Sequence, residues 1–273
     1  MQRMIGVAAL VAVLAAGALV PTAHGQATCG GGLMIDFNNT NVYSYETNVT
    51  SDLQGGVGVY KSNLGSILSV VGIIYTPSVS GGGFCPPMPA IDLAKEYTLY
   101  FTGLSSAGTQ TFPFLGTGTR YETDYSGGTF EIWEDATPDA PQGTAAFVAN
   151  PPGGGVVPDN FRNATPAGNT LILSGTLTCF HTTMTRSSNT AGAGFAGNFT
   201  AIYSATGGSA AAAVTSSPGM ITGTWCGKIG GTSTCTPTGY HAHPAGKFDA
   251  PSGASCATSL LPGSWGRLKA IYR

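Results

Sequence analysis

The carboxylates of this chain are concentrated in one short stretch. Residues 122 to 139 hold six of the thirteen acidic residues, namely Glu122, Asp124, Glu131, Glu134, Asp135 and Asp139. Calcium takes about six to eight oxygen ligands from carboxylates and carbonyls on flexible loops. Glu134, Asp135 and Asp139, with carbonyls of the same turn, therefore form a candidate calcium site. The alternative is a solvated turn in which Asp135 or Asp139 makes local backbone hydrogen bonds, because the spacing matches no standard calcium loop.

An aromatic residue lies between these acids. Glu131 and Trp133 alternate with Phe130 and Ile132, so the two pairs lie on opposite faces of a predicted strand. An exposed Trp beside carboxylates suits sugar binding, because the ring stacks on the sugar and the acids bind its hydroxyls. Trp133 and Glu131 are therefore candidate ligand-binding residues. Burial of Trp133 under the Pro-rich connection 136–170 is the competing interpretation.

Catalytic motifs are absent from the sequence. A glycosidase would need two carboxylates at a defined separation in a cleft, and the chain contains no G-x-S-x-G, H-E-x-x-H or P-loop pattern. We therefore predict no catalytic residue, and an extracellular hydrolase ranks last among the functions considered.

Two histidine positions allow other chemistry. His241 and His243 would share one face of an extended strand and suit zinc or copper, whereas Pro244 indicates a surface loop there. His181 follows the alternation of Leu177, and is expected to be a partly buried residue on the same face.

Alternating apolar and polar residues predict the strands that carry these groups. Tyr97–Thr102, Thr119–Tyr125 and Thr129–Trp133 each alternate, and the turn 126–128 predicts that the last two pair as a hairpin. A long strand, Thr170–Thr183, is expected to pair with Phe195–Ala205. Further strands are predicted at Gly32–Phe37, Val42–Tyr45, Val57–Tyr60, Ile67–Tyr75 and Met220–Trp225.

Short strands with regular turn signals define the expected fold. Forty-one glycines indicate many tight turns and few long helices. We predict an all-β protein, an antiparallel β-sandwich of the jelly-roll type with long Gly/Pro-rich loops. Residues 26–273 are expected to form a single domain whose last part, from about 224 to 273, is loop-rich and tied by disulfides.

The N-terminus predicts export. Arg3 precedes a continuous apolar run from Met4 to Val20, and small residues follow at Ala23 and Gly25. Residues 1–25 are therefore predicted to be a signal peptide, with a retained membrane anchor as the alternative. After cleavage we expect a secreted or extracytoplasmic protein, in the periplasm or at the cell surface, without membrane attachment.

All six cysteines follow the predicted signal peptide. An even number in an exported chain indicates three disulfides. We expect Cys226 to pair with Cys235 across a hairpin loop, while the pairing of Cys29, Cys85, Cys179 and Cys256 stays open.

Charge excludes some partners. Only 9% of residues are charged and the net charge is −2, so nothing indicates binding to nucleic acid. A surface rich in Ser, Thr, Asn and Gly favours hydrogen bonding to polysaccharides or to other matrix proteins.

The order of four segments resembles a known kind of exported protein. Residues 97–104, 125–139, 169–178 and 194–201 are similar to the PEP-CTERM (exosortase-associated) proteins of bacteria. This resemblance implies a β-rich component of the extracellular matrix or of flocs, mostly without enzymatic activity. The C-terminal sorting signal of that family, Pro-Glu-Pro followed by an apolar helix, does not occur in residues 261–273.

These observations favour a non-catalytic protein of the cell surface or the extracellular matrix. The alternative is a carbohydrate-binding module that uses Trp133 and the acidic turn, with calcium as a cofactor.

Overall fold

The structure, a computed structural model, describes residues 29, 31–37, 41–54, 57–80, 82–140, 161, 169–186, 195–214, 217–227 and 239–256. The predicted signal peptide, residues 1–25, lies outside the described residues. The described part of the chain contains fifteen β-strands and no α-helix. In it, no helix is long and apolar enough to cross a membrane.

The strands run from residue 33 to residue 249. They are β1 (Leu33–Asp36), β2 (Val42–Glu46), β3 (Val49–Gln54), β4 (Val57–Ser62), β5 (Ile67–Thr76), β6 (Val79–Ser80), β7 (Gly83–Phe84), β8 (Glu96–Ser106), β9 (Gln110–Phe114), β10 (Gly118–Ser126), β11 (Thr129–Asp135), β12 (Thr170–Arg186), β13 (Phe195–Gly207), β14 (Gly219–Gly227) and β15 (Ala242–Asp249). All ten strand segments predicted from alternation are present.

Thirteen strands form one antiparallel sheet, and β3 and β4 form a separate hairpin. Eight strands follow one another in the order β5, β2, β15, β14, β13, β12, β11 and β8. Because β8 also pairs with β5, the sheet closes on itself. The all-β, antiparallel class is confirmed, whereas the two-layer jelly-roll arrangement stays a prediction.

Aromatic rings fill the interior of the closed sheet. Phe37, Phe101 and Phe248 are buried, with ring centroids 6.0 to 6.3 Å apart. Phe180 stacks on Phe199 at 5.6 Å. Edge-to-face and offset ring pairs of this kind add roughly 0.5–1.5 kcal/mol each beyond the area that they bury, so the sheet is held around an aromatic core.

The predicted hairpin between β10 and β11 is wrong. Both strands pair antiparallel with β12, β10 along residues 180–186 and β11 along residues 170–176, so they run end to end. Gly127 and Gly128 join them with φ of 70° and 100°. This left-handed conformation favours glycine, and it lets the chain continue along β12 instead of turning back. The acidic residues are therefore spread along the length of the sheet.

A bulge in β12 changes which face its side chains occupy. Cys179 has φ 52°, and the register with β13 shifts between Thr178 and His181. Leu177 before the bulge and Phe180 after it are both buried. Since a bulge inserts one residue and reverses the alternation, His181 lies on the outer face. Its expected place on the face of Leu177 is wrong.

The C-terminal part contains a strand that the sequence did not predict. The strand β15 pairs with β14, and Pro244 lies within it opposite Trp225. The interpretation of Pro244 as a strand breaker is therefore wrong. The region from about 224 to 273 is not only loop, because β15 closes the sheet between β14 and β2.

Disulfides tie distant segments of the sheet together. Cys29 pairs with Cys85, and Cys179 pairs with Cys256, with Cα atoms 5.5 and 5.7 Å apart. Cys226 is also disulfide-bonded. Its predicted partner, Cys235, lies outside the described residues. Disulfides of this kind are compatible with an extracytoplasmic protein.

Candidate metal centre

Three carboxylates meet where β8 begins and β11 ends. Glu96 is the first residue of β8 and lies directly opposite Asp135, the last residue of β11. Asp139 follows in the turn after β11. One oxygen atom of each of these three side chains lies within 4.8 Å of the other two. Cross-strand neighbours share a face of the sheet, so the pairing of β8 with β11 brings Glu96 beside Asp135.

Glu134 is not part of this cluster. Its side chain points to the other face, where Oε1 accepts a hydrogen bond from Lys95 Nζ at 2.6 Å. Oε2 accepts one from the Tyr97 hydroxyl at 2.8 Å. Adjacent residues of a strand point to opposite faces, so Glu134 and Asp135 cannot converge on one ion from the same strand. Of the three predicted calcium ligands, the structure brings together Asp135 and Asp139 and adds Glu96.

Glu96 is a buried acid with one unpartnered oxygen. Its side chain has no exposed surface. Oε1 accepts a hydrogen bond from the backbone N–H of Ala140 at 3.0 Å, while Oε2 has no hydrogen-bond partner among the described residues. A buried polar atom without a partner loses its hydration uncompensated, roughly 1–3 kcal/mol and more for a charged group. A cation bound beside this oxygen would offset that cost.

The two aspartates differ in their exposure. Asp135 is only 2% exposed, and its Oδ1 accepts a hydrogen bond from the Thr137 backbone N–H at 2.7 Å. Asp139 is exposed to solvent. The cluster therefore has two buried carboxylates at its base and one at its opening. An ion could enter from solvent past Asp139.

Burial and mutual repulsion perturb the acids of the cluster. Desolvation, and secondarily the charge of Asp135, raises the pKa of Glu96 from 4.5 to about 7. Backbone N–H groups of Ala140 and Asp139 and the hydroxyl of Thr76 act in the opposite direction. Desolvation and the charge of Asp135 also raise the pKa of Asp139. A cation among the three carboxylates would remove this repulsion and favour their ionised forms.

The donor set fits a hard cation. All three side chains offer oxygen atoms, which calcium and magnesium prefer, and none offers the nitrogen or sulfur that zinc and copper favour. The sequence alone did not point to Glu96, because this residue lies far from the acidic stretch along the chain and belongs to the neighbouring strand. It can be found only when the register of β8 with β11 is known.

Trp133 and Glu131 lie together on the outer face of β11. The indole Nε1–H of Trp133 donates to Glu131 Oε2 at 3.0 Å, and both side chains are half-buried. Phe130 and Ile132 are fully buried on the other face, as the alternation predicts. One ring face of a half-buried Trp is accessible at most, so this pair offers a limited stacking surface. Of the connection predicted to cover it, 136–170, residues 141–160 and 162–168 lie outside the described residues.

The two histidines of the C-terminal segment make other contacts. The ring Nδ1 of His241 accepts the backbone N–H of Glu46 at 2.8 Å, and burial lowers the pKa of His241 to about 4. His243 lies against Tyr43, with ring centroids 5.1 Å apart. Within the described residues, no group of three metal-binding side chains includes either histidine.

Comparison with known proteins adds no assignment to this geometry. No protein-family model, no curated protein and no solved structure matches the chain.

Proposed function

We propose that this is a non-catalytic exported protein of the cell surface or the extracellular matrix that binds one calcium ion at the cluster of Glu96, Asp135 and Asp139. The supporting observation is the fully buried carboxylate of Glu96, which has an unpartnered oxygen and lies beside two further carboxylates.

Calcium fits this cluster better than magnesium. Magnesium demands a near-ideal octahedron and keeps several water molecules, whereas calcium accepts irregular sets of about six to eight oxygens. Three carboxylates from two strand ends and a turn form an irregular set, and bidentate binding with a few waters completes the shell. Extracellular calcium sites of modest affinity suit an exported protein.

The proposed role of the ion is structural. Its ligands come from the start of β8, from the end of β11 and from the turn that follows, so the ion would hold that turn against the sheet. The buried carboxylates are ligands in this proposal, and no nucleophile or general base is assigned. The low charge and the exposed hydroxyl groups of the sheet suit hydrogen bonding to polysaccharides or to other matrix proteins.

Terbium luminescence tests the ion site directly. Tb³⁺ occupies calcium sites, and its emission is excited by a nearby indole; Trp133 is two residues from Asp135 on the same strand. We expect a saturable signal that calcium displaces. The Asp139→Asn variant should weaken binding at least tenfold, whereas Trp133→Phe should lose the signal and keep its calcium affinity in calorimetric titration.

Two results would contradict the calcium proposal. One is a signal that calcium does not displace. The other is equal affinity of the wild type and Asp139→Asn, with Glu122→Gln as the matched control, because Glu122 pairs with Arg120 on β10 away from the cluster.

The second candidate function is a carbohydrate-binding module. The half-buried Trp133, fixed by Glu131, supports it, because a ring held in place by a hydrogen bond loses little entropy when a sugar stacks on it. Polysaccharide pull-down in calcium should retain the wild type and lose Trp133→Ala. Unchanged retention of Trp133→Ala on every polysaccharide bound by the wild type would exclude this function.

A further inference from the structure

A half-buried acid, Glu46, lies at the other end of the closed sheet. Tyr125 pairs with Ser106, the last residue of β8, whereas Glu96 is the first residue of that strand. Ten residues of strand separate the two ends, roughly 33 Å at about 3.3 Å per residue. The pocket beside Tyr125 is therefore independent of the candidate metal centre.

Glu46 is the charged group of this pocket. Its Oε1 accepts a hydrogen bond from the Tyr125 hydroxyl at 2.7 Å, and its Oε2 accepts one from the Ser62 hydroxyl. No ion pair involves Glu46 among the described residues. His241 lies beside it with Nδ1 turned to the Glu46 backbone N–H. Within the part of the chain that the structure describes, the hydrogen bonds to this carboxylate come from hydroxyl groups.

The pocket walls are largely aromatic. Tyr60, Tyr121, Tyr125 and Trp225 line it together with hydroxyl groups of Ser62, Thr123 and Thr182. Tyr60 lies against the ring of His241, with centroids 4.3 Å apart. The cavity volume is about 30 Å³. That space admits one or two water molecules or a group of similar size, and it excludes a sugar ring or an aromatic ligand.

Charge and shape together restrict what the pocket accepts. A negative carboxylate repels anions, and its burial without a cationic partner makes it energetically costly. Aromatic faces attract cations within about 6 Å. The buried cation of the neighbourhood, Arg186, donates to the Tyr121 hydroxyl at 2.6 Å and does not line the pocket. A small cation with hydrogen-bond donors satisfies both conditions.

We propose that this pocket binds the ammonium head of a small primary amine, with Glu46 as its anion, the aromatic rings as its walls, and the remainder of the ligand directed to solvent. The three N–H donors of the head suit the carboxylate and the hydroxyl oxygens around it. This inference does not depend on the calcium site, since no residue belongs to both.

Calorimetric titration with n-butylammonium chloride tests this proposal, with 1-butanol and sodium chloride as matched controls. We expect saturable binding of the amine and none of 1-butanol. In Glu46→Gln, which keeps the shape and loses the charge, the dissociation constant should rise at least about tenfold, or about 1.4 kcal/mol. Glu122→Gln also removes a carboxylate, but Glu122 pairs with Arg120 and does not line the pocket, so this variant should retain binding.

The folding of Glu46→Gln is checked by circular dichroism before titration. If that variant fails to fold, the comparison of the amine with 1-butanol on the wild type and on Glu122→Gln decides the question. Equal binding of the two ligands, undiminished binding by a folded Glu46→Gln, or no saturable binding of butylammonium would overturn the proposal and leave a pocket for water.

Discussion

Replacement of Glu96 by Gln should stabilise the protein when calcium is absent. The pKa of Glu96 is raised from 4.5 to about 7. Between these values the folded chain keeps a proton that the unfolded chain has lost, so the free energy of unfolding falls as pH rises through this window. At pH 8 the ionised, buried Glu96 therefore lowers stability by about 3 kcal/mol, at about 1.4 kcal/mol per pKa unit.

The substitution is expected to relieve this penalty without disturbing the backbone. The amide oxygen of Gln can still accept the hydrogen bond from the Ala140 N–H. The amide NH₂ group takes the place of Oε2, the oxygen without a hydrogen-bond partner, and lies near the carboxylates of Asp135 and Asp139. The gain of about 3 kcal/mol corresponds to a rise in melting temperature of roughly 6–12 °C for a chain of this size.

Urea unfolding in EDTA at pH 8 and at pH 5 measures this effect. The advantage of Glu96→Gln should be about 3 kcal/mol at pH 8 and fall to about 1 kcal/mol at pH 5, where the folded wild-type side chain is protonated. Glu122→Gln should change stability by less than about 1 kcal/mol, because exposed ion pairs contribute little. A variant no more stable than the wild type at pH 8, or one with an equal advantage at both pH values, would refute this reasoning.

Three further perturbations test other parts of the structure. The pKa of His241 is lowered to about 4, so below pH 7 the unfolded chain binds a proton that the folded chain does not, and the free energy of unfolding falls as pH drops. Between pH 7 and pH 5 the wild type should therefore lose about 2 kcal/mol more than His241→Phe in urea titrations. Equal losses in the two proteins would contradict this. Replacement of Cys179 and Cys256 by Ala opens a loop closed over a sequence separation of 77 residues, and it should lower the free energy of unfolding by about 4 kcal/mol. A loss under about 1 kcal/mol in the same assay would contradict this expectation. Gly128→Ala should destabilise by about 2 kcal/mol or more, because φ is +100° and the added Cβ would lie 2.7 Å from the side chain of Leu104. The matched variant Gly31→Ala has φ +61° and open space around the added Cβ, so it should lose only about 1 kcal/mol. Equal losses from the two variants would be inconsistent with the close contact at Gly128.

Strands with clear alternation were predictable from the sequence. The segments around Tyr97 and Thr129 alternate strictly, and both are strands because one side of each faces the aromatic core. The strand Ile67–Thr76 is apolar on both faces and was still predictable from its β-branched residues. The strand β15 was missed because glycine and proline interrupt its pattern, and only pairing with its neighbours makes it extended.

Pairing was less predictable than the strands themselves. A Gly-Gly step after Ser126 is compatible with a hairpin turn and with a straight continuation, and the choice depends on β12, which lies more than forty residues away along the chain. The bulge at Cys179 likewise has no local sequence signal, because it depends on the register with β13 and on a disulfide to Cys256, 77 residues away along the chain.

The candidate metal centre was half predictable. Asp135 and Asp139 belong to the acidic stretch, so composition points to them. Glu134 was predicted as a ligand because it is adjacent to Asp135 in the sequence. The alternation of side chains along the strand places it on the opposite face, beside Lys95. Glu96 was omitted because its proximity depends on the register of β8 with β11.

Calorimetric titration of calcium into the purified mature protein at pH 8 tests the proposed calcium site. We expect one ion per chain, with binding at least tenfold weaker in Asp139→Asn and in Glu96→Gln and unchanged in Glu122→Gln. At a calcium concentration of about one hundred times the dissociation constant, the wild type should gain about 2.7 kcal/mol of stability. No saturable heat of binding, or equal affinity in all four proteins, would contradict the account.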